Sequence, residues 1–210
     1  MSFEFGMFHE FARMPGRSEA ETFAASFEEV DAAERWGLDV MWLAELHVDP
    51  QRSVLAAPLT IAAAIAARTT RMKLGIAVQV LPLCHPLRLA EEVTTVDHIS
   101  HGRLIMGVGR SGFARTYEAY GISYAESRER FAEVLEILRR AFTNERFSFA
   151  GDYYRFDNIC LAPKPYQLPF PEIRMCGLKA AMVSVIFDAS AVKSRVCVPD
   201  TVKMPMRKPG

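Results

Sequence analysis

Met72-Lys73-Leu74-Gly75-Ile76-Ala77-Val78-Gln79-Val80-Leu81 is a long apolar run studded with β-branched residues, and it reads as a strand. Pro86 follows, a residue suited to the first turn of a helix. Leu89, Val93, Val96 and Ile99 then recur at helical spacing until Gly102 ends the stripe. Arg103-Leu104-Ile105-Met106-Gly107-Val108 is apolar and compact again, the next strand. A strand, a helix of about four turns and a second strand in direct succession form a crossover unit, which pairs its strands in parallel and turns right-handed.

The same rhythm extends outward. Residues 3–8 read as a short strand. Ser18 and Glu21 have the spacing of a capping box, and the helix behind them carries Phe23, Phe27 and Val30 on one face and stops at Gly37. Residues 39–43 form a compact strand, and residues 54–67 an alanine-rich helix apolar nearly all round. Ser123 and Glu126 suggest a second capping box, ahead of a helix burying Phe131, Leu135, Leu138 and Phe142. Residues 147–156 alternate around Gly151-Asp152 as a hairpin, and residues 173–175 suit a fifth core strand.

The composition is that of an ordinary globular chain: 210 residues and 23.6 kDa, half hydrophobic and 24% charged. Basic and acidic residues number 25 each, so no global field exists to hold nucleic acid or an anionic membrane. The stretch 54–67 is broken by Pro58 and is shorter than the roughly 20 residues that a bilayer demands. The first residues lack the basic and apolar regions of a signal peptide, so a cytoplasmic location is expected. Cys84, Cys160, Cys176 and Cys197 are scattered without a C-x-x-C pair, which argues against a metal centre or a disulfide framework. Residues 177–210 depart from the rest: six bases and two acids give a +4 tail on a −4 body. The expected domains are therefore residues 1–176 and a divergent basic tail, 177–210.

Polar residues gather where strands end: His9 and Glu10, Glu45 and His47, His85, then Arg110 and Ser111. No G-x-G-x-x-G follows the first strand, which disfavours a dinucleotide-binding sheet. Chemistry at four successive strand ends favours an α/β fold of the (β/α)8 TIM-barrel type, whose active site lies at that face. A barrel takes about 250 residues. This chain is expected to hold about five strand–helix units of one, a truncated barrel.

Five stretches, in order, resemble the bacterial luciferase-like flavin monooxygenases. They are Met41-Trp42-Leu43-Ala44-Glu45-Leu46-His47, Gly75-Ile76-Ala77-Val78-Gln79-Val80-Leu81-Pro82, His85-Pro86-Leu87-Arg88, Asp97-His98-Ile99-Ser100-His101-Gly102-Arg103 and Gly107-Val108-Gly109-Arg110-Ser111-Gly112. The resemblance covers residues 1–175. It implies an oxidoreductase that inserts oxygen from O2 into a small organic substrate with reduced FMN, or uses the deazaflavin F420. It also implies a flavin reductase as the source of reductant and a homodimer. No basic cluster suited to the polyanionic tail of F420 is evident at the strand ends, which favours FMN.

The family pattern has two departures here. Many members carry Glu-His-His after the second strand, and the first histidine assists the flavin–oxygen adduct; Leu46 stands there instead. A serine-rich turn that helps hold the flavin phosphate is replaced by Cys176-Gly177-Leu178-Lys179. The resemblance assigns catalysis to His47 and Glu45. It assigns cofactor binding to Ala77 and Val78, where the family often has a non-proline cis peptide under the ring, and to Gly109, Arg110 and Ser111. A neutral imidazole at a strand end can exchange protons, glycines allow close backbone approach, and a guanidinium binds phosphate. The bland alternatives are a histidine satisfied by Glu45 and a rim arginine paired with a carboxylate. His85 is expected to open a helix rather than to catalyse. The alternatives to catalysis are a non-catalytic flavin-binding protein and an inactive truncated barrel.

Overall fold

The computed structural model describes residues 4–176 and 182–185. Four strand–helix units come first: β1 (Gly6–His9) and α1 (Glu19–Trp36), β2 (Val40–Leu43) and α2 (Pro58–Arg68), β3 (Lys73–Val80) and α3 (Pro86–Ile99), then β4 (Leu104–Gly109) with α4 (Ala114–Ala119) and α5 (Ser127–Thr143). A hairpin of β5 (Phe147–Ala150) and β6 (Arg155–Ile159) precedes β7 (Glu172–Cys176), and β8 is Met182–Val185. The main sheet runs β1-β2-β3-β4-β7-β8, with all pairs parallel except the last. This is part of a (β/α)8 barrel. Residues 182–185 pair with β7, so the segment expected to stand apart as a tail contributes a strand. Residues 177–181 and 186–210, which include the expected turn at 177–179, lie outside the described residues.

Helices cover one face of the sheet. Met41 and Leu43 of β2, Leu74 and Ile76 of β3, and Leu104, Met106 and Val108 of β4 alternate onto that face and are buried. Val30, Ala62, Ile65, Val93 and Ile137 meet them from the helices. Each fully buried aliphatic side chain of this size is worth about 1.5–3 kcal/mol. The other face carries Trp42, which lies flat between glycines: a Cβ on Gly6 would stand 2.8 Å from its indole nitrogen, and one on Gly75 2.1 Å from its ring. The Arg174 guanidinium sits 5.2 Å over the same ring. No helix among the described residues is long and apolar enough to cross a membrane.

The helix ends follow their sequence signals, with two exceptions. The Ser18–Glu21 capping box forms, with Glu21 N–H donating to Ser18 Oγ at 3.2 Å and Ser18 N–H to the Glu21 carboxylate at 2.7 Å. Gly37 closes α1 at φ 86°. The expected box at Ser123 does not form: residues 124–126 are a 3-10 turn, Ser123 makes no side-chain cap, and Glu126 turns forward to Arg130 at 2.8 Å. The alanine-rich helix starts at Pro58 rather than at Val54, because proline suits the first helical position and disfavours a helical residue before it.

Carboxylates staple neighbouring segments by accepting backbone N–H groups. Glu34 of α1 takes those of Thr70, Arg71 and Met72, ahead of β3. Asp97 of α3 takes those of Tyr166 and Gln167. Glu133 of α5 takes those of Asp152, Tyr153 and Tyr154 in the hairpin turn.

His9, at the end of β1, packs toward α1 and not into a mouth. Phe11 N–H donates to its Nδ1 at 2.9 Å. Its Nε2 lies 3.0 Å from the Glu29 carboxylate, close enough for an ion pair but off the hydrogen-bonding direction. Burial lowers the His9 pKa below the ordinary 6.5, outweighing the pull of Glu29. The unfolded chain therefore takes up this proton at a higher pH than the folded one. The contribution is complete above pH 6.5 and is lost as pH falls through the lower, folded value. The urea midpoint of unfolding is expected to fall on acidification below pH 6.5, and His9→Asn to flatten that slope relative to the parent chain.

Candidate functional site

Glu45 follows the end of β2, and its side chain is 2% exposed. It holds a full set of donors. His47 Nε2 lies 2.7 Å from Oε1; Gln79 Nε2 donates to Oε2 at 2.6 Å, and Val80 N–H to the same oxygen at 3.0 Å. The carboxylate thus ties β2 to the end of β3 and fixes the imidazole. Donation from Nε2 to Glu45 leaves Nδ1 of the neutral ring as an acceptor, and the Tyr120 hydroxyl stands 3.0 Å from it. The Tyr120 and His47 rings meet edge to face at 5.1 Å. Burial raises the Tyr120 phenol above its usual pKa, with the Glu45 charge adding to the effect. Burial also pushes the nearby Cys84 thiol up to about 12, so it stays protonated.

A one-residue bulge in β3 brings these groups together. Register runs Ile76 with Met106, then Gln79 with Val108, so Ala77 and Val78 occupy the space of one residue. Strand side chains alternate, and an inserted residue reverses the faces beyond it. Gln79 consequently shares the helix-covered face with Ile76 and Val108, where Glu45 also lies. The bulge rests on glycines. A Cβ on Gly107 would stand 1.9 Å from the Ile76 carbonyl oxygen, and one on Gly109 would stand 2.5 Å from Val78 Cγ2. The Ala77–Val78 peptide is cis.

Arg110 and Ser111 follow directly at the end of β4. Arg110 Nη1 donates to Ser127 Oγ at 3.2 Å, and the Tyr117 hydroxyl donates to the Arg110 carbonyl. Among the described residues this half-buried guanidinium has no carboxylate partner. Ser111 has φ 58°, and beside it a Cβ on Gly112 would meet nothing within 4 Å. Two clefts share Glu45 and His47. One, of about 320 Å³, includes Leu46, Ser111, Phe113 and Arg115 in its wall. The other, of about 560 Å³, includes Gln79, Cys84, Glu92 and Tyr120.

The structure therefore brings Glu45 and His47 into contact, places Ser111 across the smaller cleft, and packs Val78 against Gly109. Ala77, Val78, Gly109 and Arg110 line neither cleft. Glu10 pairs with Arg52 at the rim. His85 opens α3, as expected, and its ring packs against Tyr154 and Phe156 of the hairpin at 6.1 and 5.9 Å. Sequence reasoning missed Gln79 and Tyr120. A glutamine inside an apolar strand was a visible signal for the first; nothing local marks the second, which lies 73 residues from its partner.

Comparison with known proteins agrees with this fold. The luciferase-like monooxygenase family model matches residues 3–190. The chain belongs to the luciferase-like monooxygenase family. The match runs past residue 176, into the segment expected to diverge. Monooxygenase RslO1 of Streptomyces bottropensis superposes with a TM-score of 0.80 at 30% identity, over 85% of this chain and 54% of that one. The oxygenating constituent of 3,6-diketocamphane monooxygenase from Pseudomonas putida, solved with FMN, gives 0.76 at 25% identity, over 83% and 51%. An F420-dependent glucose-6-phosphate dehydrogenase of Kineococcus radiotolerans is 33% identical over 66% of this chain and 42% of its own length. The chain spans about half or less of the length of the curated relatives it matches.

The glycine contacts generate a sharp contrast. Gly107→Ala forces a side-chain atom against a backbone carbonyl and is expected to cost about 3 kcal/mol or more. Gly112→Ala, with open space and ordinary backbone, is expected to change the urea midpoint little.

Proposed function

We propose that this chain forms part of a flavin-dependent monooxygenase of the cytoplasm that uses reduced FMN and O2 on a small organic substrate, with a separate flavin reductase supplying the reduced cofactor. The carrying observation is the half-buried Arg110 at a Gly-x-Gly strand end, which has no carboxylate partner among the described residues. A guanidinium left without a carboxylate suits an anionic group. Arg110 and the Gly109–Ser111 backbone would hold the phosphate or anionic edge of the flavin, and Ala77 and Val78 would back its ring. When bound, reduced FMN supplies the electrons and the oxygen activation. Glu45 keeps His47 oriented and supplies the counter-charge for a proton on its ring. Leu46 and Phe113 offer apolar surface that excludes water.

F420 is the alternative cofactor. FMN is favoured because Arg52 and Arg115, the cations that line the smaller cleft, are already engaged by Glu10 and Asp49. Leu46 in the place of the family's first histidine favours a second reading, a flavin-binding protein without turnover. Titration with FMN, followed by quenching of flavin fluorescence, tests the first step. Saturable binding is expected, with Arg110→Ala weakening it about tenfold or more. Oxygen consumption dependent on reduced FMN, and lowered by His47→Ala, then separates monooxygenase from passive binder.

A homodimer is part of the same proposal. Thr60, Ala64 and Ala67 form one helical stripe on α2 that the other described residues leave partly or fully exposed. A second copy packed on this face would bury it. Sedimentation is expected to show twice 23.6 kDa, and Ala67→Glu to give the monomer.

A further inference from the structure

We propose that Tyr120 is the proton-exchanging group of this site, the open end of a Glu45–His47–Tyr120 chain in which His47 acts only through the Tyr120 hydroxyl. The proposal rests on the monooxygenase reading for its reaction, but its geometry stands apart from the flavin.

Both ring nitrogens of His47 are taken. Nε2 faces the Glu45 carboxylate at 2.7 Å and Nδ1 faces the Tyr120 hydroxyl at 3.0 Å. The His47 side chain is 10% exposed, whereas Tyr120 is 47% exposed and lines the larger cleft. A ligand in that cleft meets the phenol before it meets the imidazole. The phenol oxygen keeps free acceptor capacity after bonding to His47, and its proton can turn either way.

The state of His47 sets the direction. With a neutral ring, the Tyr120 O–H donates to Nδ1 and shows the cleft only a lone pair. With a protonated ring, Nδ1–H donates to the phenol oxygen, and the O–H is free to donate outward. A basic oxygen or nitrogen of a ligand then takes the phenolic proton as the Nδ1 proton moves onto the phenol oxygen. One O–H bond breaks and another forms on the same atom, and the imidazolium becomes neutral. Tyr120 carries no charge at any stage. The raised phenol pKa is consistent with this, since the group relays a proton without ionising. The ligand class is a hydrogen-bond acceptor that gains a proton, bound best while His47 is charged. The titratable and charged groups around the chain are Glu45 beneath His47, Cys84 and Glu92 across the larger cleft, and Asp49, Arg52 and Arg115 along the smaller one.

Nitrogen-15 NMR of histidine-labelled protein between pH 5 and 9 reads the chain without any turnover. The neutral His47 ring is expected to carry its proton on Nε2. Tyr120→Phe is expected to move the Nδ1 resonance toward that of an unbonded acceptor, with Nε2 almost unmoved. A neutral ring protonated on Nδ1, or an Nδ1 resonance indifferent to Tyr120→Phe, overturns the proposal. With reduced FMN and a turned-over substrate, Tyr120→Phe is expected to lower kcat about 100-fold with KM within about twofold. Parental kcat in Tyr120→Phe overturns it as well. An NMR signature of the relay without oxygen consumption by the parent chain strikes the monooxygenase reading and leaves the relay standing. Tyr124→Phe, on the ring packed against Tyr117, is the control expected to leave the His47 resonances in place.

Discussion

The Ile76 carbonyl occupies the place where any residue but glycine at position 107 would carry a side chain. That contact lets β3 take an extra residue against β4 without losing its pairing. The extra residue turns Gln79 onto the helix-covered face, and Gln79 with the Val80 N–H then converges on Glu45. A regular strand would leave Gln79 on the opposite face. Glu45, deprived of two donors, would then be a buried charge held mainly by one imidazole, a costly arrangement. The chain from Gly107 through the bulge to Glu45, His47 and Tyr120 is thus one mechanical unit.

The other carboxylates that accept backbone N–H groups clarify what is special about Glu45. Glu34, Asp97 and Glu133 each hold a turn by accepting several backbone N–H groups. Their donors are mostly main chain, and their role ends with placing a segment. Glu45 accepts one backbone N–H and spends its remaining capacity on two side chains, one of them titratable. Its charge therefore reaches outward, to Tyr120 and to the Cys84 thiol. The same device that staples loops elsewhere in the molecule becomes, at this strand end, a source of acid–base asymmetry.

Charge pairing around the mouth is selective. Arg52 and Arg115 are engaged by Glu10 and Asp49, while Arg110, among the described residues, donates to a serine hydroxyl. Rim pairs of this kind contribute little to stability, because water screens them. Among the described residues, they leave the Arg110 guanidinium without a carboxylate. The helix-covered face is closed by aliphatic packing from every unit, whereas the other face, with Phe8 55% exposed and Trp42 beneath Arg174, is only partly filled by the described residues. That difference follows from a part of a barrel: each unit supplies its own helix, but the interior is filled by all strands together.

The order of strands and helices was legible in the sequence because it rests on local rules. Period-3.6 stripes, the Ser18–Glu21 cap, Pro86 and Gly37 each act within a few residues. The same locality explains the failure at Ser123: the spacing fitted a cap, but Glu126 found Arg130 instead, a competition that spacing alone does not weigh. Glu45, His47 and Arg110 were visible as polar residues at strand ends, and motif resemblance gave them roles. What only the tertiary structure decided was the wiring between them. The bulge that turns Gln79 around depends on the register of β3 against β4, and Tyr120 meets His47 across 73 residues. The sequence by itself determined which elements form and what chemistry their ends carry, since those follow from neighbours along the chain. The partner of each side chain was settled by packing between distant elements, where a shift of one residue reverses a whole face.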